Sequence, residues 1–133
     1  MTIDITKLVT AAQRLTAEKT AKDLEINGWR MAANFSTFPY LTKVIACDRL
    51  SRSDIDAANG EIVNRGTMPV GWPGAWKAVD NTVIPIADVL AWKAFYAAMF
   101  AAGNANFARS QNLKTQLAAA TTVAQVAAIV WGV

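Results

Sequence analysis

The side chains that most often make and break bonds are scarce in this chain. It has no histidine, which removes the commonest general base, the commonest metal ligand and every Ser–His–Asp or Cys–His arrangement. Cys47 is the one cysteine, so no internal disulfide can form. Its place in the apolar run Val44-Ile45-Ala46-Cys47 predicts a buried, inert thiol rather than a nucleophile. The carboxylates to consider are Asp48 with Asp54 and Asp56, and Asp80 with Asp88. Asp54 and Asp56 stand two apart on a predicted helix, so their side chains diverge; Asp80 belongs to a predicted turn. None lies in an apolar pocket motif that would raise its pKa for acid catalysis. Gly71 and Gly74 are flanked by Trp and Pro rather than by a strand–helix turn, which argues against a phosphate-cradling loop. The expectation is a protein that is not an enzyme, with no catalytic, cofactor-binding or metal-binding residues.

Recognition chemistry is better supplied. Trp72, Trp76, Trp92 and Trp131 lie in the second half of the chain with Phe95, Tyr96, Phe100 and Phe107. Ring-bearing residues dominate interfaces and small cores alike, and most of these rings are expected inside. The loop Gly71-Trp72-Pro73-Gly74 is the exception to watch. It is stiff, and a Trp at its apex loses little entropy on docking. Trp72, Trp76, Trp92, Tyr96 and Trp131 are the residues expected to carry an interaction.

These side chains need a folded frame, and composition supplies one. With 133 residues, 53% of them hydrophobic, and a mean hydropathy of +0.22, the chain suits one folded domain rather than a disordered tail. Only 17% of residues are charged. Such a charge-poor surface suits a protein that covers part of itself in an assembly. The net charge of +3 is spread out. Its densest basic stretch, Arg49-Leu50-Ser51-Arg52, also holds Asp48, Asp54 and Asp56, so no nucleic-acid stripe is expected. Met1 to Lys7 lacks the basic-then-apolar pattern of a signal peptide. Val89 to Ala102 falls short of the about 20 apolar residues a membrane span needs. It reads as a buried helix.

Periodicity gives a mainly α (α+β) fold. Ile5, Leu8, Val9, Ala12 and Leu15 predict an N-terminal helix from about residue 5 to 26, capped by Asp4 and stopped by Asn27-Gly28. Its polar half, Glu18 to Glu25, is expected to be exposed or to lie on a partner. Trp29–Phe35 and Tyr40–Cys47 read as a small hairpin turning at Ser36-Thr37-Phe38-Pro39. Ser51 is expected to cap a helix that holds Ile55, Ala58, Ile62 and Val63 on one side and stops near Gly66. Trp76–Val79 and Thr82–Ile84 predict a second hairpin with Asp80-Asn81 at its tip. A long helix follows from about Ala87 to Ala119. Its seam holds Val89, Trp92, Tyr96, Met99, Gly103, Asn106, Ser110, Leu113 and Leu117, a heptad frame with a weak centre. Phe95, Phe100 and Phe107 add a second apolar stripe. Thr122 starts a short last helix through Val126 and Ile129 to Trp131. Residues 1–28 are thus expected as a helix serving attachment, and 29–133 as the body of a single-core domain.

Three stretches carry a resemblance: Asp48-Arg49-Leu50-Ser51-Arg52-Ser53-Asp54-Ile55, Trp76-Lys77-Ala78-Val79-Asp80-Asn81, and Leu113-Lys114 before Ala118-Ala119-Ala120-Thr121-Thr122. Taken in this order, over about residues 40 to 131, they resemble a domain family of unknown function found in tail and tail-fibre proteins of tailed bacteriophages and prophages. The resemblance implies a structural virion protein, made in the host cytoplasm and bound to a fibre, baseplate or nozzle. Its partners would be phage tail or fibre proteins, in a homo-oligomer or other symmetric assembly. The alternative it leaves open is a fibre-assembly chaperone that departs before the particle is finished. The family supplies no catalytic residues.

Overall fold

The computed structural model describes residues 9–132. In chain order the elements are α1 (Ala11–Asn34), β1 (Thr37–Tyr40), β2 (Lys43–Ala46), α2 (Arg49–Arg65), β3 (Ala75–Lys77), β4 (Val83–Pro85), α3 (Val89–Ala119) and α4 (Val123–Ala127). Helices dominate, and the strands form two antiparallel hairpins. The fold is mainly α (α+β), as the two periodicities predict. Among the described residues no helix is long and apolar enough to cross a membrane.

The expected cap at Asp4, with Ile5 and Leu8, lies outside the described residues. Within them, Thr10 and Gln13 make a reciprocal capping box: the Gln13 amide donates to Thr10 Oγ1 at 3.1 Å, and the Thr10 amide to Gln13 Oε1 at 3.0 Å. The helix does not stop at Asn27-Gly28 but runs on to Asn34. Ile26 and Trp29, on either side of that pair, both join one apolar cluster, and this burial overrides a glycine penalty of about 1 kcal/mol. Trp29–Phe35 therefore forms no strand. The first hairpin pairs Thr37 with Ala46 and Tyr40 with Lys43, so its turn is Leu41-Thr42 and Pro39 stands inside β1. Proline fits there because an edge strand has no use for its missing N–H.

Asp48, not Ser51, caps α2, accepting from the Ser51 amide at 2.7 Å. The helix ends at Gly66, φ 71°. Ile55 and Ile62 are buried, whereas Val63 is exposed. The second hairpin forms as expected, with Ala75 paired to Pro85 and Lys77 to Val83. The tip holds Asn81 at φ 69°, a conformation Asn tolerates.

Every position of the α3 seam, Val89 through Leu117, is buried or half-buried. The seam therefore packs on its own chain. Phe100 and Phe107 are exposed, so they do not continue the buried stripe begun by Phe95.

The single expected core separates into two. Among the described residues, 31–107 form one compact unit, and 9–30 with 108–132 form another. The larger unit is built on Phe38, Ile45, Ile55, Ile84, Trp92, Phe95 and Met99. Its hairpins are tied together by the Val79 amide donating to Val44 O at 2.9 Å and by Lys43 Nζ to Asp80 Oδ2 at 3.0 Å. The smaller unit gathers Ile26, Leu113, Leu117, Ala120, Val126 and Ile129, with Leu15, Trp29 and Trp131 against them. Here Lys19 Nζ donates to Ala118 O, Lys22 Nζ donates to Ile129 O, and Asp23 pairs with Lys114. The polar half of α1, expected to be free for a partner, is engaged with its own chain at these three residues.

Candidate functional site: an aromatic cluster

The larger unit brings together four of the five residues singled out for interaction. Trp92 and Tyr96 lie one turn apart on α3, Trp76 comes from β3, and Trp72 from the loop that precedes it. Trp72 and Trp76 are stacked with centroids 6.2 Å apart. Trp92 meets Trp72 edge-on at 5.6 Å and Trp76 at 6.0 Å. Tyr96 lies over Trp92 at 6.5 Å. Phe95 extends the contact to Trp76, and to Phe38 and Tyr40 of β1. Such pairs each add roughly 0.5–1.5 kcal/mol beyond the area they bury. Trp131 does not join them. It belongs to the smaller unit, where the Arg109 guanidinium lies over its ring at 5.2 Å.

Trp92, Trp72 and Tyr96 each find a partner on the chain for their polar end, as buried indoles and phenols require. Trp92, fully buried, donates Nε1–H to Asn59 Oδ1 at 3.1 Å. Trp72 donates to Ile86 O at 2.7 Å. The Tyr96 hydroxyl donates to Asp56 Oδ1 at 2.9 Å, and Arg52 lies 4.0 Å from the other Asp56 oxygen. Partial burial and then this hydrogen bond to Asp56 raise the Tyr96 pKa above the ordinary phenol value, so at neutral pH it is a donor rather than a base. Asn59 went unread in the sequence, and Asp56 was weighed there only as a catalytic carboxylate. Their signal is the spacing of 52, 55, 56, 59 and 62, which puts them on the α2 face that carries the buried Ile55 and Ile62.

The loop before β3 differs from its expected form. Trp72 is not the apex but a half-buried anchor, fixed by the bond to Ile86 O. The projecting side chain is Val70, 97% exposed. Gly71 and Gly74 take φ of +81° and +79°, conformations open to glycine and strained for other residues. They reverse the chain around Trp72, and Pro69 and Pro73 restrict what lies between. The product is a stiff loop that presents an apolar tip beside the half-exposed Trp72 and Trp76.

Burial raises the Cys47 pKa, the nearby Arg52 only partly offsetting it, which keeps the thiol protonated at neutral pH. Asp48 is held below the usual carboxylate range by the Ser51 amide, as its capping role requires. Among the described residues no group of three or more His, Cys, Asp or Glu could hold a metal ion.

No curated protein and no solved structure matches the chain. Residues 17–130, from the second turn of α1 to just beyond α4, match a family profile described as a domain of unknown function, DUF4376, and the chain belongs to that family.

Proposed function

We propose that this chain is a structural protein of a tailed-bacteriophage tail, a part of the virion that works by binding other tail or fibre proteins. The observation that carries the binding role is the Val70–Trp76 loop. It exposes an apolar tip and two half-exposed indoles on a backbone already fixed by glycine geometry and the Trp72–Ile86 hydrogen bond. Binding through a preorganised aromatic surface loses little conformational entropy, and aromatic anchors carry much of the energy of protein interfaces. The placement in a phage tail rests on the sequence resemblance to tail and tail-fibre proteins. Mass spectrometry of purified particles tests that placement. The chain should appear at fixed stoichiometry with the tail proteins; if it is found only in infected-cell lysate, bound to unassembled fibre, it is an assembly chaperone. Val70→Asp tests the surface. It should weaken capture of the tail partner at least tenfold while leaving the melting temperature within a few degrees, because the side chain touches little of its own chain.

A further inference from the structure

α3 has a second face, which the core does not use. Leu90, Ala94, Ala97, Ala101 and Asn104 recur at spacings of three and four, all exposed, on the side opposite Trp92, Phe95 and Met99. Phe100 borders this line and is 70% exposed. No charged residue lies between Lys93 and Arg109. A solvated helix face carries charged and polar side chains, and a bare Leu and Phe on a face whose one charge is Lys93 at its edge mark a contact surface.

We propose that this face pairs with the same face of a second copy of the chain, antiparallel, about a twofold axis level with Met99, one residue from Phe100. The positions 90, 94, 97, 101 and 104 form a heptad frame of their own, and a twofold requires a face that complements itself. This one does. Across the axis Ala97 falls opposite Ala101 of the other copy, and Ala94 opposite its Asn104. Small residues thus meet small ones, and the two backbones can approach closely. The bulky edge also meets itself, ring on ring at Phe100. Charge sets the direction. Antiparallel pairing brings Lys93 between uncharged Asn104 and Phe107 of the other copy, whereas parallel pairing would place two Lys93 side chains together, which is unfavourable. From Leu90 to Phe107 the face is about 26 Å long at 1.5 Å per residue. Such a helix pair buries on the order of 1,000 Å² in all, near the lower limit for a specific interface, so the dimer is reversible and depends on concentration. The pairing does not rest on a place in the virion.

Sedimentation of the full chain from low to high micromolar concentration reads this directly. The wild type should shift from monomer to dimer, and Phe100→Glu should remain monomeric at least tenfold higher in concentration, with an unchanged melting curve. Phe100→Cys gives an independent reading, since the cysteine would face its own copy while buried Cys47 stays silent. Mild oxidation should cross-link it far faster than Val63→Cys, at an exposed site on α2. A wild type that stays monomeric throughout, a dimer that survives Phe100→Glu, or equal cross-linking at both positions would each overturn the proposal.

Discussion

At the scale of single residues, the cluster around Trp92 shows why a binding surface needs an inner layer. Trp92 touches Trp72, Trp76, Phe95 and Tyr96, so its removal should loosen the exposed rings along with the core. Trp92→Ala is expected to cost about 3–5 kcal/mol, and Asn59→Ala about 1–3 kcal/mol, because it orphans the indole N–H. Urea unfolding checks both. Asp80 is a separate case. The Thr82 hydroxyl and amide, then Lys43, lower its pKa from 3.8 to about 2. A lowered carboxylate pKa contributes stability above the ordinary value, and that contribution is lost as pH falls toward 2. Stability of Asp80→Asn should therefore depend less on pH between about 4 and 2, as seen in midpoints from acid titration of the two proteins. Residue types in the sequence announced the aromatic character of the site. They could not announce its membership, because whether a ring faces a neighbour or the solvent depends on partners far along the chain, such as Ile86 O for Trp72.

At the scale of elements, the hairpin at Asp80-Asn81 and the α2 stop at Gly66 were legible because their turn chemistry is local. Ends decided by burial were not. Nothing near Asn27-Gly28 reveals that Ile26 and Trp29 will both find apolar partners, so a strong local stop signal is overridden. Gly28 then sits in a helix with no heavy atom within 4 Å of where a Cβ would stand. Gly28→Ala should raise stability by about 0.5–1 kcal/mol, measured by thermal melting; a loss would mean the helix is broken there after all. The first turn is the opposite case. Leu41 has φ 55° and is 75% exposed, so it pays for a left-handed conformation with almost no burial in return. Leu41→Gly should stabilise the hairpin by up to about 1 kcal/mol.

At the scale of the whole molecule, the family match begins at residue 17, so most of α1 lies within the domain rather than ahead of it. That agrees with Ile26, which is fully buried among Leu113, Leu117 and Val126. Removing residues 1–26 should strip one side from this core and, with Lys19 and Lys22, take away the hydrogen bonds to Ala118 O and Ile129 O. Hydrogen exchange followed by mass spectrometry should then show residues 108–132 exchanging at nearly unfolded rates. Retained protection there would restore the reading of α1 as a separable attachment segment. The distribution of tryptophan has an optical consequence. Trp72, Trp76 and Trp92 lie within 6.2 Å of one another, close enough for their transitions to couple, whereas Trp29 and Trp131 report on the smaller unit. Exciton coupling of the three indoles should superimpose a couplet on the far-ultraviolet spectrum and bias any helix content read from it. The same couplet gives a marker for the larger unit alone, one that should vanish when its rings separate even while the helices persist.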